Sequence, residues 1–185
     1  MSTELQIAIL GIIGTMGGTI LGWFLNNISQ SGKLNIFISS WEDEFDTRDE
    51  IGGMVKSSSI EKTEHYSYRA TMDLYNSSGE TKIMRNIEIV FAKDKIELKN
   101  SIPKNDATKT IIHTMVIYDN IEPINIPPKS VKKIAVHNGF GKESLNFIWQ
   151  TNNIFLRYVN EKNRIKIVPI KNENYKDYFN NNDLD

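Results

Sequence analysis

Tyr66-Ser-Tyr-Arg-Ala-Thr-Met-Asp-Leu-Tyr-Asn76 alternates without a break. Tyr66, Tyr68, Ala70, Met72 and Leu74 fall on one face, and Ser67, Arg69, Thr71, Asp73 and Tyr75 on the other. A period of two marks a strand with one side on a core and the other toward water. Ser77-Ser-Gly79 then reads as a turn. Residues 83–91 resume the alternation, with Ile87, Ile89 and Phe91 sharing a face.

Working outward, residues 34–40 read as a first strand, 95–99 as a short one, 111–118 as a β-branched one, and 121–126 as another ending at Pro127-Pro128. Proline cannot sit inside a central strand, so that pair closes the element. Residues 131–137 form a further strand, ended by the turn pair Asn138-Gly139. Residues 142–151 suit a short helix or a loop. Residues 154–159 and 164–170 predict a hairpin around residues 160–163. In it Ile154, Leu156 and Tyr158 are expected to face inward with Ile165 and Ile167. Seven to nine short strands without long alternating helices argue for an antiparallel β-sandwich. In architecture the pattern resembles immunoglobulin-like or C2-like domains. It is similar to small bacterial proteins that tether a β-sandwich to a membrane by one helix.

The tether is residues 7–25, IAILGIIGTMGGTILGWFL, in which Thr15 and Thr19 are the polar side chains. A helix of that length spans roughly 28 Å, about the hydrocarbon thickness of a bilayer. Its nine Ile, Leu and Phe residues favour insertion by about 3–5 kcal/mol, partly offset by the glycines. Trp23 lies where an indole prefers the interface. A cleaved signal peptide would need a basic leading segment, and Met-Ser-Thr-Glu carries none. Gly11, Gly14, Gly18 and Gly22 are spaced three, four and four apart, on one helix stripe with overlapping GxxxG pairs. Such a stripe lets two helix backbones approach closely in lipid, so association with itself or with another membrane protein is expected.

The chain therefore divides into an anchor and connector at 1–32, a sandwich at 33–171 with a long acidic loop at 41–64, and a polar tail at 172–185 expected to be disordered. The loop's Glu42, Asp43, Glu44, Asp46, Asp49 and Glu50 are candidate contacts for a basic partner. Asp43, Asp46 and Asp49 recur every third residue, whereas a calcium loop needs oxygen ligands at alternating positions and a glycine at a set place. Lys33 follows the helix and no Lys or Arg precedes it, which favours a cytoplasmic domain in a single-pass cell-membrane protein.

Net charge is −1 over 185 residues. Glu4 alone precedes the helix, so the remainder carries 22 Lys and Arg against 23 − 1 = 22 Asp and Glu. A neutral domain has no large overall attraction to nucleic acid or anionic lipid, although local patches remain open, and no nucleic-acid partner is expected. The absence of cysteine removes disulfides, thiolate catalysis and Cys-based zinc sites. His65, His113 and His137 lack metal-ligand spacing, and Gly139-Phe-Gly141-Lys142 does not complete a phosphate loop. Ser144 has no nucleophile elbow around it. No enzyme, metal or cofactor is expected. The reading is a membrane-anchored interaction module for a protein partner. One alternative is an oligomerising membrane effector, of the phage-defence or superinfection-exclusion kind, that perturbs the bilayer. The other is an outward-facing cell-envelope binding protein.

Overall fold

The computed structural model describes residues 2–172, 175 and 178–181. Helix α1 (Thr3–Gln30) starts at Ser2, whose hydroxyl accepts from the Leu5 amide, and stops at Ser31, whose amide and hydroxyl both donate to the Ile28 carbonyl. No residue of α1 is buried. After the connector, the strands build two antiparallel sheets. The first holds β1 (Leu34–Arg48), β2 (Met54–Lys56), β3 (His65–Asn76), β6 (Lys104–Asn105) and β10 (Val131–Gly141) in the order β2-β1-β3-β10-β6. The second holds β4 (Lys82–Lys93), β5 (Ile96–Ser101), β11 (Asn153–Val159) and β12 (Ile165–Asn172) in the order β12-β11-β4-β5, with β9 (Ile124–Ile126) paired to β4. A separate ribbon of β7 (Thr110–Ile112) and β8 (Met115–Ile117) stands apart.

The alternation in β3 is realised as written. Tyr66, Tyr68, Ala70, Met72 and Leu74 are all buried. They meet Ile87, Ile89 and Phe91 of β4 and Ile154, Leu156 and Tyr158 of β11 in one core. The fold is mainly β, an immunoglobulin-like antiparallel sandwich, with an N-terminal apolar helix long enough to cross a membrane.

Several sequence expectations are corrected. The expected loop at 41–64 is strand as far as Arg48. The register shifts between Ile38 and Ser40, so the inward set changes from Leu34, Ile36 and Ile38 to Trp41, Asp43 and Phe45. A bulge of this kind breaks a strict period of two in the sequence while the strand continues. What remains of the loop is the β1–β2 turn and residues 57–64. Asn138-Gly139 is no turn, because β10 runs on to Gly141 against β3. Residues 142–151, by contrast, hold to the expected short helix or loop, as a 3-10 helix over Lys142–Gln150. The stretch 111–118 folds back on itself at His113, which has φ 56°. Ile165 and Ile167 stay exposed, since pairing sets Ile167 opposite the outward Arg157. The tail is ordered at its described positions: Tyr175 is buried and α2 spans Tyr178–Asn181. The rest of 172–185 beyond Asn172 lies outside the described residues.

Asn76 ends β3 as a fully buried polar hub. Its amide nitrogen donates to the carbonyls of Glu80 (2.7 Å), Ile126 (3.0 Å) and Pro127 (2.9 Å). Its oxygen accepts from the Ser78 amide (2.9 Å) and hydroxyl (2.7 Å). One side chain thus satisfies polar groups of two chain segments, residues 78–80 and 126–127, away from water. Asn76→Ala would leave those groups unpaired. It is expected to cost about 2–4 kcal/mol and to lower the thermal midpoint by roughly 5–15 °C, measured by circular dichroism.

Candidate functional site

The stripe Gly11, Gly14, Gly18 and Gly22 lies open on α1: a methyl group added at any of the four would meet nothing within 4 Å. The helix hydroxyls are satisfied locally, Thr15 on the Gly11 carbonyl and Thr19 on the Thr15 carbonyl, both at 2.8 Å. Neither needs water or a partner, which suits a lipid setting. Trp23 projects freely near the C-terminal end. Among the described residues α1 is the one helix long and apolar enough to cross a membrane.

The helix meets the sandwich at a tight joint. Gly32 crosses the Ser77–Ser78 peptide so closely that a Cβ would lie 2.3 Å from backbone atoms of both residues. Glycine is required there by space alone. The Lys33 amide donates to the Ser77 hydroxyl (3.0 Å), and the Ser77 amide (3.1 Å) and hydroxyl (3.0 Å) donate to the Lys33 carbonyl. Gly79 packs under the helix end, where a Cβ would lie 3.0 Å from the Ser29 carbonyl oxygen. Lys129 donates from Nζ to the Ser77 carbonyl at 2.7 Å. The Asn76 hub holds this turn from inside, so the connector docks on a preformed surface.

Beside the joint an open cleft of about 390 Å³ is lined by Lys33, Lys82, Lys162, Arg164 and Lys166, with Glu161 on one wall. Lys82 is largely buried and pairs with Glu161 at 3.1 Å and Glu80 at 3.8 Å. Burial alone would raise the Glu161 carboxyl. Hydrogen bonds from its own backbone amide and from Lys82 outweigh burial and hold it below its usual 4.5.

The acidic residues do not form one loop. Glu42 and Glu44 point outward from β1. Asp43 points inward with its side chain 2% exposed. It accepts from Tyr66 (2.7 Å), Tyr175 (2.8 Å), Trp41 Nε1 (2.9 Å) and Lys171 (2.8 Å). Burial, with Tyr175 and Asp43 alongside, pushes the Tyr66 hydroxyl well up. Asp43 is therefore a core anchor for the C-terminal segment, not a partner contact. Asp46 sits beside His65, its carboxyl raised mainly by burial and then by Glu44. Asp49 shapes the β1–β2 turn by accepting from the Gly53 and Ile51 amides, and Glu50 is exposed next to it. The six carboxylates thus separate into outer face, core and turn.

The histidines lie apart. His137 bonds Asp106 and meets the Tyr118 ring edge-on, His65 faces Asp46, and His113 occupies the tip of the β7–β8 ribbon. Ile111, Ile112, Met115, Val116 and Ile117 make that ribbon an exposed apolar surface. Glu88 and Glu97 both bind Arg157, which holds the guanidinium strongly protonated through Glu97 first and Glu88 second. Sequence reading missed the joint and the basic cleft. Gly32, Ser77 and Arg164 are distant in the chain and meet through topology alone. The Ser77-Ser-Gly79 turn was the one visible signal.

A protein-family model described as the YopI Ig-like domain matches residues 32–171. A curated relative, the SPbeta prophage-derived uncharacterized protein YopI of Bacillus subtilis (strain 168), is 23% identical over 148 residues, covering 79% of this chain and 84% of the relative. Among solved structures, an uncharacterized beta-sandwich protein from Clostridium difficile 630 is 15% identical with a TM-score of 0.34, covering 75% of this chain and 86% of that one. A protein from Archaeoglobus fulgidus is 9% identical with a TM-score of 0.37, covering 74% and 98%. At these scores the two structural likenesses carry no argument.

Gly32→Ala is expected to pry the connector from the turn while the sandwich stays folded. The Ser77 amide should exchange with deuterium at least about ten-fold faster, with little change in thermal midpoint. A carboxyl lowered on folding adds stability that is present above the unfolded value of 4.5 and is lost as pH falls through the lower folded value. Glu161→Gln is therefore expected to cost about 1–3 kcal/mol at neutral pH. That difference should fade as pH falls below 4.5 and through the lower folded value in denaturant titrations run across pH.

Proposed function

This chain belongs to the YopI Ig-like domain family, and from that premise we propose that it is a single-pass membrane-anchored interaction module whose sandwich binds a protein partner at the bilayer surface. The observation that carries this reading is a helix with no residue buried against its own domain, clamped at its end to a sandwich that is otherwise complete. Apolar surface on that scale is covered by lipid and by other helices. The glycine stripe supplies the close-packing face for a second helix. Tethering raises the local concentration of membrane partners, so modest contacts suffice. The apolar β7–β8 ribbon supports a protein partner, since exposed apolar surface of this kind marks protein contact. The role is binding rather than catalysis. Lys33 at the helix exit supports a cytoplasmic domain.

A second reading is favoured by the prophage origin in the name of the Bacillus relative. In it the glycine-striped helices assemble into an effector that perturbs the bilayer, as in exclusion of a superinfecting phage. Both readings need helix association. Gly14→Leu combined with Gly18→Leu is expected to weaken self-association or partner capture at least about ten-fold in lipid, read as energy transfer between labelled chains. Unchanged association rejects the stripe as the contact face. Loss of association without loss of phage protection or toxicity rejects the effector reading.

A further inference from the structure

The domain is neutral in sum, yet its two ends differ in charge. The connector and the turns at 77–81, 127–130 and 160–164 surround the helix exit, because β1 and β4 start there, β3 and β11 end there, and β10 and β12 start there. Lys33, Lys162, Arg164 and Lys166 are exposed around this end, and Lys132 and Lys133 are exposed at the start of β10. Among the described residues of those turns the carboxylates are Glu80 and Glu161, and both are engaged by Lys82. At the opposite end lie Glu42, Glu44, Asp46, Asp49 and Glu50, on the last half of β1 and its turn. The helix-exit end is thus predominantly basic, whereas the opposite end mixes these carboxylates with Arg48, Lys56, Lys62 and Lys142.

The length of α1 sets where the basic end stands. The apolar stretch ends at Leu25, and α1 continues to Gln30. Five more residues rise about 7.5 Å. Each headgroup layer is about 5–8 Å thick. Gly32 and Lys33 therefore leave the helix at the level of the lipid phosphates, with no slack, because Gly32 is seated on Ser77 and Ser78. Ile165 and Ile167, 66% and 62% exposed, lie on the outward face of β12, with Lys166 between them on the other face and Arg164 just before the strand.

We propose that the helix-proximal end of the sandwich is a binding surface for anionic lipid headgroups, with the cleft between Lys33 and Arg164–Lys166 receiving their phosphates. The proposal rests on α1 spanning the bilayer. Docking fixes the tilt of the sandwich, turns its opposite end away from the membrane, and makes its posture depend on the anionic lipid content of the leaflet. Each basic residue close to such a surface contributes about five-fold to the docked-to-undocked ratio, and the contribution is screened by salt.

The chain has no cysteine, so Ile165→Cys carries a single fluorophore. The full-length labelled protein is placed in nanodiscs of phosphatidylcholine, with or without phosphatidylglycerol, containing a lipid with a nitroxide on its headgroup. Quenching is expected to be stronger with phosphatidylglycerol and to relax in about 0.5 M NaCl. Replacing Lys162, Arg164 and Lys166 by Gln should lower the docked ratio roughly a hundred-fold and remove the lipid dependence. Equal quenching in both lipids, or an undiminished lipid dependence in the triple variant, overturns the proposal. Flotation with pure phosphatidylcholine vesicles after an alkaline wash separates the two levels. A protein that floats without a phosphatidylglycerol response overturns the headgroup surface alone. A protein left in the supernatant overturns the spanning helix and the headgroup surface together.

Discussion

Gly32 lies against the Ser77–Ser78 peptide with no room for a side chain, and the posture of the whole molecule follows from that approach. A connector of a few polar residues would by itself act as a loose leash. Here Lys33 and Ser77 exchange backbone and hydroxyl hydrogen bonds, and the helix end rests on Gly79. The leash becomes a fixed bracket. A force or tilt applied to α1 passes into the end of β3, the central strand of the first sheet.

The bracket needs a stiff mount, and Asn76 provides it. Its side chain ties the 77–80 turn to the backbone near Ile126 and Pro127, so the surface that receives Gly32 is set before the helix docks. At the far end Asp43 has the corresponding role. It draws Trp41, Tyr66, Lys171 and Tyr175 together and closes the core over Phe45. Two buried polar hubs at opposite ends of one apolar core fix where the N-terminal helix joins the sandwich and where the C-terminal segment lies. Each hub is satisfied by donors or acceptors from distant segments, and that arrangement makes such a group specific rather than merely costly.

The sequence disclosed those parts of the fold whose physics is local. β3 is fully periodic, and its inward set was legible residue by residue. The N-terminal helix was legible because its run of nineteen mostly apolar residues is, by length and composition alone, enough to cross a membrane. β1 was legible only up to its bulge. Beyond Ile38 the inward parity changes and a carboxylate, Asp43, occupies a core position, so the pattern looks like a charged loop. A buried Asp reads as surface until its donors are known, and they come from residues up to 132 positions away. The basic end was hidden for a similar reason. Its cations belong to separate turns, and a zero sum over the domain conceals their excess at one end. The joint was hidden because Gly32 and Ser77 are each ordinary turn residues until topology brings them together.

A rigid bracket has a direct signature. Spin labels at Asn26→Cys on the helix and Val131→Cys on the sandwich, in the otherwise cysteine-free full-length chain in nanodiscs, report the distance across the joint by pulsed electron resonance. A clamped joint gives one narrow distance distribution, limited by the label rotamers. A broad distribution, filling the range that a free connector from Ser31 to Lys33 can reach, would contradict it.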